Sequence, residues 1–343
     1  MAEILENIPL APYTTLKVGG SARFFIEAVS DEDIPSAVTF AKENKLELFV
    51  LGGGSNIVVS DSGFNGVVLH IASKGVERVS VDEDGSVLID VAAGENWDEF
   101  VAYCVENNLA GVECMSGIPG TVGGTPVQNV GAYGQEVAET IESVRCYDLQ
   151  RNQFVELTKD ECGFSYRQSI FNSSERGRYI VTGVCFRLNT AIDPNIKYAE
   201  LKRMVELSDQ EPTLAFIRSA VLKIRAAKSM VIDNDDPNSR SAGSFFKNPI
   251  VDVEIAEKII GVPTYPADSG KVKLSAAWLI ENAGFHKGFS LGNAAISQNH
   301  SLAIINLGDA STTEILSLKA LIQTGVLDKF GIELQPEPVF VGF

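Results

Sequence analysis

Two hydrophobic rhythms alternate along the chain. Apolar residues recur at three- and four-residue spacing over 31–44, 97–108, 211–228, 275–283 and 311–325, and each stretch predicts an amphipathic helix. The last opens with "STTE", in which Ser311 and Glu314 form a capping box, and it is expected to run to Gly325. Between the helices lie short β-branched or apolar runs, "LELFVL", "NIVVS", "GVVLH", "SVLIDVAAG", "YIVTGVCFRL" and "SLAIINLG", which read as strands. The helices are too few and too irregularly spaced for a strict βαβ repeat, so the expected class is α+β and not a doubly wound parallel sheet. A polar Asp/Asn/Pro/Ser segment, "VIDNDDPNSRSAGS" over 231–244, marks the start of a smaller C-terminal domain. At 343 residues the chain has room for about two or three domains, and it contains no internal repeat or low-complexity tract.

Charge narrows the partners. Forty-five Asp and Glu against 28 Lys and Arg give a formal net charge of −17, which repels a polyanion over most of the surface. Nucleic acid and anionic membrane are therefore not expected as partners, and an anionic ligand needs a local positive pocket. Lys223, Arg225 and Lys228 form the only dense basic group ahead of 231–244, and read either as that pocket or as a solvated helix face. The five cysteines are odd in number, widely spaced and without a C-x-x-C pair, which argues against a disulfide framework or a structural zinc. No basic region precedes an apolar stretch at the N-terminus and no apolar run reaches the ~18 residues of a spanning helix, so a cytoplasmic protein is expected. His70, His286 and His300 form no constellation, and no metal site is expected.

Two glycine-rich stretches carry the candidate chemistry. "LGGGSN" (51–56) follows an apolar run, yet it lacks the G-x-G-x-x-G spacing and leads into "IVVS" instead of a helix, so it is neither a Rossmann nor a Walker loop. Gly52, Gly53 and Gly54 can turn successive N–H groups inward as an anion nest with Ser55 and Asn56 adding donors, or can simply form a tight turn between strands. "SGIPGTVGGTPVQNVGAYG" (116–134) packs six glycines and two prolines into a segment with no charged side chain, and a loop of that length and apolar content is expected to serve a ligand. Its glycines, Gly123 and Gly124 in particular, are expected both to need positive φ and to leave room for a diphosphate. Two such loops suggest one ligand with a pyrophosphate and an extended body.

Together with "YTTLKVGGSARF", "YRQSIF", "SAGSFFKNP" and "LQPEPVFVG", these segments occur in the order and approximate spacing of the UDP-N-acetylenolpyruvoylglucosamine reductases, and the chain resembles that family over almost its whole length. The resemblance implies a two-lobed FAD-binding domain of the vanillyl-alcohol oxidase (PCMH) type, with lobe 1 over 1–70 joined by the tail 336–343, lobe 2 over 71–228, and a smaller α+β substrate-binding domain over 229–335. It implies tightly bound FAD, NADPH as reductant, and a UDP-sugar enolpyruvyl ether as substrate in bacterial peptidoglycan precursor synthesis, with no obligate protein partner. The flavin-contacting positions it implies are Thr15, Gly52, Gly53, Gly54, Ser55, Asn56, Ser116, Gly117, Ile118, Pro119, Gly120, Thr121, Gly123, Gly124, Gln128, Asn129, Gly131 and Tyr133. Substrate-side positions are Tyr133, Tyr198, Lys228, Lys247 and Asn248. Catalytic positions are Arg167, Ser244 and Glu337, with hydride from the reduced flavin N5 and the proton from Ser244. Arg167 suits these roles by its planar permanent charge, which matches a carboxylate on which negative charge grows. Ser244 is in no G-x-S-x-G elbow and has no His–Asp partner pattern, so a hydrolase nucleophile is excluded. Fold alone does not fix function, and two other readings stand beside this one: a different oxidoreductase on the same flavin fold, and a nucleotide-binding module without catalysis.

Overall fold

The run "YIVTGVCFRL" is the strand Tyr179–Leu188. It is the middle of an antiparallel five-stranded sheet in the order Gln153–Thr158, Ile141–Asp148, Tyr179–Leu188, Val87–Ala92, Val76–Val81. Our computed structural model describes residues 2–190, 196, 198–208, 212–267 and 270–343. The chain divides into two compact units, one built from Met1–Ile8, Ala22–Gly53 and Asn65–Ala226, the other from Pro9–Ser21, Gly54–Phe64 and Ala227–Phe343.

In the first unit, alternation along Val87–Ala92 sends Val87, Ile89 and Val91 into the core and leaves Leu88, Asp90 and Ala92 half-buried. Val144, Val184 and Phe186 meet them from the neighbouring strands. The helix Trp97–Glu106 lays Trp97 and Phe100 on this layer, with ring centroids 5.0 to 6.0 Å from each other and from Phe186. A second sheet runs Ile4–Pro9, Ser21–Ala28, Phe64–Ile71, Leu48–Leu51, its last pair parallel. The helix Asp33–Glu43 buries Ile34, Ala37, Val38 and Ala41 in the same core.

In the second unit the helix Thr312–Phe330 opens with the expected Ser311–Glu314 capping box. It does not stop at Gly325, where a Cβ would stand 2.6 Å from the Phe285 ring. That glycine is required for packing inside the helix, which ends instead at Gly331 in the left-handed conformation (φ +68°). Asp61 accepts hydrogen bonds from the N–H groups of Thr312 and Thr313 at 2.7 and 2.9 Å. Leu279, Ile280, Ile315, Leu318, Ile322, Phe245 and Phe246 form this unit's core. The strand Val339–Val341 pairs in parallel with Ile57–Val59. The polar segment 231–244 is folded on itself: Ser239 Oγ donates to the carbonyls of Asp233 and Asp236 at 2.7 and 2.9 Å.

The helices expected at 31–44, 97–108 and 275–283 are found at Asp33–Glu43, Trp97–Glu106 and Ala276–Asn282. The one at 211–228 is Leu214–Ala227, its expected first residue Glu211 lying outside the described residues. The mixed α+β class stands, and all six apolar runs contain strands. Among the elements missed were the strands Ile4–Pro9, Ser21–Ala28, Val76–Val81, Ile141–Asp148 and Gln153–Thr158, the helix Ala199–Glu206, and most of the short strands after 250. Three of these strands are largely exposed and need no apolar run. Ile141–Asp148 is interrupted by charges that the tertiary structure pairs, Arg145 standing 3.0 Å from Asp90.

Asp148, at the end of that strand, is 0% exposed. Arg178 donates to its Oδ2 from Nε and Nη2 at 3.2 and 2.8 Å, and the N–H groups of Gln150 and Arg151 bind Oδ1 at 2.9 and 3.2 Å. The Arg178 guanidinium chiefly, with those N–H groups, lowers its carboxyl from the ordinary 3.8 to about 2. A depressed folded-state pKa contributes stability that is fully present above the unfolded value and lost as pH falls through the folded one. We therefore expect Asp148→Asn to lower Tm at pH 7, and the gap from wild type to close as pH falls from 3.8 towards about 2. Thermal melts of both proteins across that range test this, and a constant gap would contradict it.

Candidate active site

The strand Leu48–Leu51 delivers Gly52 and Gly53 to the second glycine-rich stretch. A Cβ on Gly53 would stand 2.5 Å from the Gly120 Cα, and one on Gly52 would stand 2.8 Å from Thr121 Oγ1, so the two loops meet backbone to backbone. The longer stretch is not structureless: Val122–Gly124 is a 3₁₀ turn, and Gly131–Ala132 pairs with Gln135–Glu136 in a hairpin. Neither Gly123 nor Gly124 has the positive φ that their sequence context suggested. Gly123 is bare because a Cβ would lie 2.5 Å from that of Ala93. Gly124 is exposed, and its added Cβ would meet nothing nearer than Thr121 Oγ1 at 4.0 Å.

This loop is held from outside. Trp97 Nε1 donates to the carbonyl of Met115 at 3.1 Å, Ser116 Oγ to that of Glu113 at 2.6 Å, and the Gly117 N–H to Asp98 at 2.6 Å. Arg218, from the helix Leu214–Ala227, grips both oxygens of Asp98 at 2.5 and 2.9 Å. Burial raises the Asp98 carboxyl, but the bonds from Arg218 and Gly117 outweigh it and hold it below its ordinary value. The Asp98 carboxylate on the loop backbone is thus neutralised by a fixed guanidinium. A bare, uncharged backbone surface with an outward-open glycine fits the diphosphate and extended body of FAD. Ile118 packs against the unit's core, while Pro119 and Gln128 are half-buried. Sequence reasoning missed Asp98 and Arg218, 120 positions apart with no local signal to join them.

Asn129 is buried and its side chain is committed within the protein: Nδ2 donates to Glu136 at 2.8 Å and to the Ser165 carbonyl at 3.0 Å, and Oδ1 accepts from the Ala138 N–H at 3.1 Å. Arg167 adopts φ +53° and donates to the carbonyls of Asn129 and Gly131 at 3.4 and 2.8 Å. Its guanidinium also lies 5.5 Å from the Tyr166 ring centroid. The Tyr133 ring meets that of Tyr198 edge-on, 5.0 Å between centroids. Arg225 is buried and not part of a solvated basic face. It donates to the Tyr133 hydroxyl, and burial lowers its pKa against the opposing influence of Tyr133 and Asp98.

The second unit carries the other positions. Gly54 abuts the Tyr13 carbonyl, and its own carbonyl accepts from the Thr15 N–H at 3.2 Å. Thr15 Oγ1 donates to the carbonyl of Ser241 at 2.6 Å and more weakly to that of Ser55 at 3.5 Å. Asn56 takes the Val339 N–H on its carbonyl at 2.9 Å, and its side-chain amide donates to the Glu337 carbonyl at 3.4 Å. Half-buried Ser244 precedes Phe245, whose N–H donates to Leu302 at 2.7 Å and whose carbonyl accepts from the Glu337 N–H at 2.9 Å. The Lys247 N–H binds the Gln335 carbonyl at 3.0 Å. Ser244 and Glu337 are thereby brought onto adjacent antiparallel segments, with Phe245 and Phe246 buried behind them. Asn248 Oδ1 caps the helix Ala276–Asn282 through the Ala276 N–H at 2.9 Å. Lys228 is half-buried beside Ser229, a left-handed residue (φ +52°) held by Asp236 at 2.5 Å and Asn299 at 2.9 Å. The Leu302 N–H donates to His300 Nδ1 at 3.0 Å. Among the described residues no group of three His, Cys, Asp or Glu side chains is arranged to hold a metal, and no helix is long and apolar enough to cross a membrane.

The fold and the bare loop surface define an FAD-binding protein, and residues 22–157 match the FAD binding domain family. Residues 235–341 match the C-terminal domain of UDP-N-acetylenolpyruvoylglucosamine reductase. The chain is 46% identical to the UDP-N-acetylenolpyruvoylglucosamine reductase of Thermobifida fusca, with 98% of each covered, and 45% identical to that of Streptomyces coelicolor, covering 98% of this chain and 90% of the relative. The crystal structure of the Thermus caldophilus reductase superposes with a TM-score of 0.67 at 26% identity over 99% of each chain. The chain belongs to the UDP-N-acetylenolpyruvoylglucosamine reductase family, whose members are FAD-binding oxidoreductases.

Proposed function

We propose that the protein reduces the enolpyruvyl ether of UDP-N-acetylglucosamine to UDP-N-acetylmuramate with NADPH, as a cytoplasmic bacterial enzyme of peptidoglycan precursor synthesis. The observation that carries this reading is the bare surface where Gly52 and Gly53 meet Gly120 and Thr121, beside the outward-open Gly124. On this reading FAD is held by the lobes 1–70 with 336–343 and 71–228, and 229–335 binds the sugar nucleotide. When bound, FAD supplies hydride transfer between NADPH and the methylene carbon of the enol ether.

The protein's own residues bind, orient and move one proton. Arg167 pairs with the substrate carboxylate and counters the charge that builds beside it. The Ser244 hydroxyl donates a proton to the carbon bearing that carboxylate, and Glu337, on the segment alongside, orients the donor. Lys228, Lys247, Asn248 and Tyr198 meet the diphosphate and sugar, Lys228 supplying local positive charge on a chain of net charge −17. No nucleic acid, membrane or obligate protein partner enters the reaction.

A visible spectrum tests the reading. Flavin bands, their bleaching by NADPH and their return on adding the enolpyruvyl sugar nucleotide are expected; a colourless protein that binds the sugar nucleotide would favour a module without catalysis. Lys228→Ala is expected to raise KM for substrate and NADPH by about 10- to 100-fold, the loss of a hydrogen bond to a charged group, with bound flavin unchanged. Loss of flavin in parallel would refute that division of labour.

A further inference from the structure

The hairpin that carries Tyr133 also frames Arg167. Gly131–Ala132 and Gln135–Glu136 are joined by Tyr133 and Gly134, both at positive φ (+51° and +88°), the signature of a two-residue type I′ turn. A tyrosine is costly in that conformation, and the hairpin holds it because both ends are tied. At the tip the Tyr133 hydroxyl takes a hydrogen bond from buried Arg225 and its ring packs on Tyr198. At the base the Val137 N–H binds the Val130 carbonyl at 2.8 Å, and the Asn129 amide bridges Glu136 and the Ser165 carbonyl.

Those base contacts bear on Arg167 from two sides. Ser165 begins the tight turn that ends at Gln168 and holds Arg167 at φ +53°, so the Asn129 to Ser165 bond fixes the backbone that carries the arginine. The carbonyls of Asn129 and Gly131 receive two of its guanidinium N–H groups. A guanidinium is planar, so two donors fixed on one edge fix the direction of the other edge. Glu136 is the charged member of this frame, and its carboxylate orients the Asn129 amide at 2.8 Å.

We propose that Glu136 is a positioning residue for substrate carboxylate recognition, acting through Asn129 to set the plane of the Arg167 guanidinium. The inference rests on the proposed role of Arg167 and assigns to Glu136 no contact with substrate. Glu136 is half-buried, so its truncation does not open a core cavity. Gln at this position retains an oxygen to accept from Asn129 and serves as the conservative variant.

The test compares two ligands of the oxidised, flavin-loaded protein by calorimetry: the enolpyruvyl sugar nucleotide, and UDP-N-acetylglucosamine, which lacks the carboxylate. Glu136→Ala should weaken binding of the first by about tenfold, the scale of a misaligned charge-assisted contact, and leave the second unchanged. Glu136→Gln should restore most of the difference, and Tm and flavin content should match wild type in both variants. Equal weakening of both ligands, or no weakening of either, overturns the positioning role. Arg167→Lys is the reference: if it fails to separate the two ligands, the proposed role of Arg167 itself falls. If it separates them and Glu136→Ala does not, only the positioning inference falls.

Discussion

Ser244→Ala is expected to leave reduction of the bound flavin by NADPH close to wild type and to slow its reoxidation by the enolpyruvyl substrate by about 10²–10⁴, the range for loss of a positioned general acid. Only the second half-reaction needs a proton at the carbon beside the carboxylate. The variant should also fold normally. The backbone around Ser244 is fixed by neighbours, through the Phe245 N–H to Leu302 and the Phe245 carbonyl to Glu337, and none of those bonds involves the hydroxyl. Ser244→Cys keeps a donor of similar size and should recover part of the loss. Single-turnover stopped-flow absorbance reads both half-reactions on one sample. Equal slowing of the two would make Ser244 structural, and slowing of neither would transfer the proton to Glu337.

The second large effect is expected at adjacent glycines that the sequence does not tell apart. Gly124→Val should give protein with wild-type Tm and little bound flavin, because a Cβ at this exposed position meets no protein atom nearer than 4.0 Å and projects into the surface that the cofactor is expected to cover. Gly123→Val should instead destabilise the fold by about 1–3 kcal/mol, the usual cost of overpacking, because its Cβ collides with Ala93 at 2.5 Å. The ratio of flavin to protein absorbance, measured beside a thermal melt, separates the two effects. A Gly124→Val protein that folds and keeps stoichiometric flavin would remove this loop from the cradle.

The contrast between those glycines shows what a sequence holds and what it withholds. The abundance of glycine and the absence of charged side chains over 116–134 are written in the residues themselves, and they pointed to a ligand surface. Which glycine faces protein and which faces outward depends on Ala93, a residue brought up from the end of a distant strand. Helix boundaries set by local hydrogen bonds, such as the Ser311 cap, were legible, whereas Gly325 looked like a stop because its reason is the Phe285 ring, 40 positions away. The edge strands carried too little apolar pattern to be seen. Asn129 lay in a recognisable motif, yet its amide is used on Glu136 and Ser165, so the motif located the residue without disclosing what it touches. Asp98 and Arg218 gave no sign, because an ion pair between distant helices leaves no periodicity, and Arg225 stood out only as one of a basic group, with nothing to show that it is buried beside Tyr133.

The parallel pairing of Val339–Val341 with Ile57–Val59 has a bearing on how the protein is made. As the ribosome extends the chain, the early strand must wait for nearly the whole of the remaining polypeptide before its partner emerges. Its exposed edge is during that interval a surface on which other nascent chains can pair, and contacts of such high sequence separation are slow to form. Glu337 is set in place by the same late docking, through the Asn56 side chain and the Phe245 carbonyl. Newly synthesised molecules should therefore gain a soluble, protease-resistant first unit before they gain a competent Glu337, and pulse-labelled protein should lag in activity behind its resistance to digestion.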